Sequence, residues 1–180
     1  MAKFYDLLEP QLIEFIHAQK IFFTGSAAQE GRVNVSPKGC DSLRVLSPNK
    51  IAWLNLTGSG NETAAHLKLI NRITLMFCAF EGKPLILRVY GSARAIHQQD
   101  PEWDEYFGHF DKSPGARNIF LVDIDSVQTS CGFAVPYMDY QEDREILNDW
   151  AAKKSEAELK EYWTQKNVKS IDGHPTGIFD

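Results

Sequence analysis

The stretch best suited to chemistry is "LNLTGSGNETAAHL", residues 54–67. An apolar run ends at Leu56, two glycines follow, and an amphipathic segment begins at Asn61. Such a loop presents backbone N–H groups at a helix start, where the aligned peptide dipoles are positive. Gly58 and Gly60 let a ligand come close to the main chain, and Thr57, Ser59, Asn61 and Thr63 add side-chain donors. Together these residues make an anion seat. They also satisfy a plainer reading, in which Asn61 or Ser59 caps the helix and binds nothing. Two familiar phosphate motifs fit poorly. "GSGNET" lacks the third glycine of a dinucleotide fingerprint, and no lysine follows Gly60 at P-loop spacing.

A second feature gains meaning in combination. "RVNVSPKG" (32–39) ends a strand pattern and carries Lys38. A strand-end lysine is usually solvated. If this strand end lies beside the glycine loop, a cation and a helix N-terminus converge on one anion. Other candidates are weaker. His66 either touches a ligand or partner, or is a hydrogen-bonded core histidine. His17, His97, His109 and His174 have no metal-ligand spacing, so no metal is expected. Cys131 in "SCGFAVP" is either a redox thiol or a small buried loop residue. Asp123 and Asp125 alternate on one face, as an exposed edge would. No Ser–His–Asp order has hydrolase context.

The elements that must hold these groups follow from periodicity. Residues 9–19 carry an apolar stripe with Pro10 at the start, which predicts a helix. Alternation predicts strands at 33–36 and 42–47, and residues 20–27 and 51–56 also read as strands, with 20–27 and 33–36 forming a hairpin. Residues 61–72 predict a helix, 73–80 a buried strand, and 85–96 a long strand with Gly91 at a bulge or corner. Residues 100–110 predict a short helix with Asp100 as N-cap and Pro101 at N1. Residues 118–135 hold one more strand and an irregular exit. The chain turns helical and charged from Glu142, and Ser155 with Glu158 makes a capping box. The turn-rich tail from Ser170 either lies over a partner or frays. Six or seven hairpin-linked strands without βαβ alternation predict a mainly β (α+β) antiparallel barrel with peripheral helices.

Composition sets the bounds. With 180 residues, 43% hydrophobic, the chain can bury one real core. A net charge of -5 argues against binding nucleic acid by bulk electrostatics, though a local basic pocket stays compatible with it. Three cysteines without CxxC spacing, and no secretory signal, are the pattern of reduced cytoplasmic thiols. No run of about 18 apolar residues exists, so no membrane span is expected.

The order "VNVSPKG", "LTGSGNETAAHL", "RITLMFCAF", "LRVYGSARAI" resembles the pyridoxamine 5'-phosphate oxidase-like superfamily of FMN-binding split barrels, over roughly residues 10–135. The resemblance implies a six-stranded antiparallel split β-barrel over residues 1–140, with residues 141–180 as a helical extension packed on it. It implies a homodimer with FMN at the interface and a small-molecule substrate. Asn34, Ser36 and Lys38 would line the flavin and its ribityl chain, and Thr57, Gly58, Ser59, Gly60, Asn61 and Thr63 would meet the phosphate. Arg72 and Arg88 are further candidates. The family's phosphate-gripping arginine–lysine pair reads Glu62 and Thr63 here, and its late R-x-H substrate motif has no counterpart. The expected activity is therefore an FMN-dependent oxidoreductase whose substrate is not pyridoxamine phosphate. A nicotinamide, a quinone-like acceptor or a small pyridoxal-like ring all remain open. The competing classes are a non-catalytic flavin or haem-related storage protein, and a barrel that binds nothing and acts through its C-terminal helices.

Overall fold

The computed structural model describes residues 2–180. In chain order the elements are β1 (Lys3–Tyr5), α1 (Pro10–Ala18), β2 (Phe22–Ser26), β3 (Asn34–Lys38), β4 (Leu43–Ser47), β5 (Lys50–Leu56) and α2 (Glu62–Leu69). They continue with β6 (Ile73–Cys78), β7 (Ile86–His97), α3 (Trp103–Phe107), β8 (Ala116–Ser130), α4 (Ile146–Ala152) and α5 (Glu156–Lys166). All pairings are antiparallel, and one sheet runs β3-β2-β6-β7-β8-β5-β4, with β1 added to β8. The sheet does not close, and β3 and β4 are its ends. The fold class matches the split-barrel expectation, with eight strands rather than six. The three-residue β1 escaped the periodicity reading because it is too short to show alternation.

One face of the sheet is crowded with large apolar side chains. Trp53 stacks on its cross-strand neighbour Phe120 at 4.4 Å, and Phe22 meets Trp53 edge-on at 6.4 Å. Both Trp53 and Phe120 are fully buried, as are Leu75, Phe77, Leu87 and Val89 in the same cluster. Helix α1 covers this core with Leu12 and Ile16, and α2 covers it with Ala64 and Leu67. The alanines at 64 and 65 let α2 lie close to the sheet.

Gly91 marks a bulge, since the β7–β8 register shifts between Tyr90 and Gly91. A Cβ built on Gly91 would lie 2.1 Å from the Asp123 carbonyl oxygen. Backbone cannot step aside as a flexible side chain can. Gly91→Ala is therefore expected to destabilise the chain by about 3 kcal/mol, in the upper range for overpacking. Urea melts of the two proteins check this, and an unchanged midpoint would remove the bulge as a constraint.

Several local expectations need correction. Asp100 does not cap a helix; its carboxylate accepts from the His97 amide at 2.8 Å, and Pro101 and Glu102 form a turn ahead of α3. Asp123 and Asp125 are exposed, but β8 lies inside the sheet and Asp123 pairs with Lys50. Cys131 is exposed rather than buried, on the sharp exit before Gly132. The capping box at α5 forms as expected, with the Ser155 and Glu158 side chains serving each other's backbone N–H.

The tail from Ser170 folds back instead of fraying. Ser170 and His174 close a turn, the Thr176 amide donates to the Val168 carbonyl, and Ile178 buries itself against Leu159 and Trp163. No helix among the described residues is long and apolar enough to cross a membrane.

Candidate anion site

Strand β5 delivers the chain into the glycine loop, and the loop leads into α2. Thr57 is the anchor. Its amide and hydroxyl both donate to the Gly115 carbonyl, at 2.7 and 2.9 Å, and its hydroxyl accepts from the Trp163 indole N–H at 2.9 Å. Thr57 thus faces the protein and not solvent. The next carbonyls are also held: Asn167 Nδ2 donates to the Gly58 oxygen at 3.0 Å, and Arg117 Nη1 donates to the Gly60 oxygen at 2.9 Å. A trans peptide points its N–H opposite to its C=O. The amides of Ser59 and Asn61 therefore face away from these donors, and among the described residues neither has a protein acceptor.

The plain capping reading does not hold. No side chain among the described residues caps α2, and Asn61 instead donates from Nδ2 to the Asn167 carbonyl at 3.3 Å. Among the described residues the amides of Glu62, Thr63 and Ala64 have no protein acceptor, at the positive end of an eight-residue helix.

The loop forms one wall of a cleft of about 760 Å³. Strand β3 forms the facing wall, and side chains tie the two together. Asn34 Nδ2 donates to Thr63 Oγ1 at 3.2 Å, and the Ser36 hydroxyl donates to Asn34 Oδ1 at 3.2 Å. Lys38 Nζ reaches across the open sheet to Asn55 Oδ1 at 3.3 Å, just before the loop. The strand end and the helix start thus converge on one space, as their spacing in sequence allows. Asn34, Ser36, Lys38, Gly58, Ser59, Gly60, Asn61 and Thr63 all line it. Arg72 and Arg88 do not. Arg72 is exposed ahead of β6, and Arg88 donates to Ser130 Oγ on the neighbouring strand. His66 is buried with Nδ1 3.1 Å from Ser26 Oγ, a core histidine.

Sequence reading missed Arg117. Asn55 pairs with Asn118 but Leu56 pairs with Ala116, so Arg117 is the extra residue of a bulge. Bulges redirect side chains, and this one turns Arg117 under the glycine loop. Arg117 is only 3% exposed, and its Nε has no partner among the described residues. Burial pushes its pKa down to about 10, which leaves it cationic at neutral pH. Lys38 is pushed from 10.5 to about 8, first by burial and then by the Arg117 charge. The C-terminal segment adds Lys166 and Lys169 at the same cleft. Among the described residues none of these four cations is within ion-pair distance of a carboxylate. Among those residues Glu62 is the one acidic group of the lining, and its carboxylate accepts from the Ile171 amide at 3.0 Å. An acidic protein has thus gathered uncompensated positive charge and free amides in one place. Buried charge of one sign is costly without an opposite partner, and an anion in the cleft would offset that cost.

Known proteins agree with this architecture. A family model described as pyridoxamine 5'-phosphate oxidase matches residues 8–131. The chain belongs to the pyridoxamine 5'-phosphate oxidase family. A family member from Aspergillus flavus, ustO, is 38% identical over 97% of this chain and 78% of its own. Among solved structures, a point variant of HupZ from Group A Streptococcus superposes with a TM-score of 0.55 at 12% identity. That match covers 68% of this chain and 99% of HupZ. An FMN-binding protein from Syntrophomonas wolfei gives a TM-score of 0.50 at 17% identity, covering 64% of this chain and 80% of that one. At these identities the structures speak for the fold alone. The family model's match ends at residue 131, ahead of Lys166, Asn167 and Lys169, whereas the alignment with ustO covers 97% of the chain.

Proposed function

We propose that the cleft binds FMN, that its phosphate occupies the space between the glycine loop, Lys38 and Arg117, and that the protein is an FMN-dependent oxidoreductase. The observation that carries the reading is that half-buried Lys38 and buried Arg117 line the same cleft as the unpartnered loop amides. FMN's phosphate is doubly charged and matches that set of cations and amides. The lining also offers Val33, Pro37, Leu56 and Ile171 as apolar surface for a flat ring. Among the described residues no histidine lines the cleft, which favours flavin over a haem-related ligand. The oxidase-family membership supports the same choice of cofactor.

Bound FMN would supply the hydride chemistry, and the protein supplies binding, orientation and charge. Loop amides, Ser59 and Thr63 hold the phosphate, and Asn34 and Ser36 face the ribityl side. Lys38, protonated at neutral pH, places positive charge at the junction of the two. A second copy completes the picture as a homodimer with FMN at the interface. Val33 and Val35 are 72% and 65% exposed on or beside β3, an end strand with an unpaired edge.

Ser59→Asp sets a carboxylate against the phosphate. The FMN dissociation constant is expected to rise well over tenfold, about 1.4 kcal/mol or more. Fluorescence quenching of titrated FMN measures it, and an unchanged constant would take the loop out of the site. Enzyme and storage protein separate in a second assay. NAD(P)H should bleach bound flavin faster than free FMN if the protein is catalytic; equal rates would assign it to storage or sensing.

A further inference from the structure

The glycine loop does not hold its own shape. It has no cap among the described residues, and two of its carbonyls are tied down by residues far away in sequence. One of these is Asn167, which is fully buried just after α5. Its Nδ2 donates to Gly58 O at 3.0 Å, and its own carbonyl accepts from Asn61 Nδ2 at 3.3 Å and from Thr176 Oγ1 at 2.7 Å. Asn167 therefore grips both ends of the turn that carries the free amides. Trp163, one turn earlier on α5, grips Thr57 from the same side. The flanking Lys166 and Lys169 enter the cleft, so the segment that fixes the loop also carries charge to its mouth.

We propose that the C-terminal segment 163–176, beyond the residues the family model matches, is a working part of the anion site, with Asn167 as its positioning residue. Asn167 acts through the loop: by holding the Gly58 carbonyl it orients the Ser59 amide toward the anion. It replaces, by geometry and by the neighbouring lysines, the charge that this chain lacks at Glu62 and Thr63. This inference rests on the FMN reading.

The test uses the full chain and titrates FMN into wild type, Asn167→Asp and Trp163→Phe. The aspartate keeps the shape of asparagine but turns the donor into an acceptor that repels Gly58 O. At about pH 7.5 the expected loss is roughly tenfold in affinity. A carboxyl buried against a carbonyl has a raised pKa, and its protonated form can donate again. The gap between Asn167→Asp and wild type, each measured at the same pH, should therefore narrow at about pH 5.5. Thermal melts of the FMN-free proteins separate positioning from fold support: an affinity loss with an unchanged melting temperature supports the positioning role, and a gap that stays constant with pH overturns it. If Asn167→Asp fails to fold, Trp163→Phe carries the test: roughly threefold weaker binding supports the proposal, and unchanged binding overturns it. Wild type that binds FMN alongside unaffected variants overturns this inference alone. Wild type that ignores FMN overturns the cofactor reading with it.

Discussion

Lys38→Met is expected to weaken FMN binding by about thirtyfold and, at the same time, to make the FMN-free protein more stable. The two effects have one origin. Lys38 sits half-buried beside Arg117 with a neutral amide as its hydrogen-bond partner, and its pKa falls to about 8. Holding the proton there costs roughly 2 kcal/mol at neutral pH, after allowing for solvent at the cleft mouth. Methionine removes that cost and fills similar volume. It also leaves Asn55 Oδ1 without its donor, which returns about 1 kcal/mol. The net gain for the free protein is about 1 kcal/mol. The bound state loses a charge-assisted contact to a dianion, worth about 2 kcal/mol or more. Thermal melts with and without FMN read both effects together. A variant less stable in both states would mean that Lys38 is structural.

The pH dependence has a definite sign. The folded pKa of Lys38 lies below its unfolded value, so between about pH 8 and 10.5 the folded protein binds fewer protons. The stability penalty is fully present below about pH 8 and fades as pH rises toward 10.5. The advantage of Lys38→Met should fade over the same window. FMN binds the protonated form better, so wild-type affinity should decline above about pH 8 while the methionine variant stays flat.

How much of this was legible in the sequence depends on the range of each interaction. The strands around Trp53 and Phe77 were legible because short runs of apolar, aromatic and β-branched residues favour buried strands locally. The glycine loop and Lys38 were visible for the same reason: each ends a strand, and the hairpin order brings their ends together. Arg117 was not visible. In "ARNIF" it looks like any strand residue, and only the register slip between Asn55–Asn118 and Leu56–Ala116 turns it under the loop. That slip belongs to two strands whose paired residues, Asn55 and Asn118, stand 63 positions apart, and it leaves no local mark. Asn167 was hidden likewise, since its contacts lie 109 residues away at Gly58 and 106 away at Asn61. Arg72 and Arg88 drew attention by their charge, but the sheet directs them elsewhere.

Arg117→Met should give the largest loss, about a hundredfold in FMN affinity, because the guanidinium serves the anion twice. Its charge opposes the phosphate, and its Nη1 holds the Gly60 carbonyl so that the Asn61 amide faces the cleft. A charge removed from a buried pair costs about 2–5 kcal/mol, and a misdirected loop adds to it. The free protein should change little. Removing a cation that is 3% exposed relieves desolvation, while Gly60 O loses its donor, and the two oppose each other. Arg117→Lys separates the two duties. A lysine keeps the charge but lacks the fixed planar fork whose Nη1 donates to the Gly60 carbonyl. Its affinity should fall between the two, roughly tenfold below wild type. If lysine restores wild-type binding, charge alone matters and the bulge has no steering role. If Arg117→Met binds FMN as wild type does, the anion lies elsewhere and the buried cations must answer to another group.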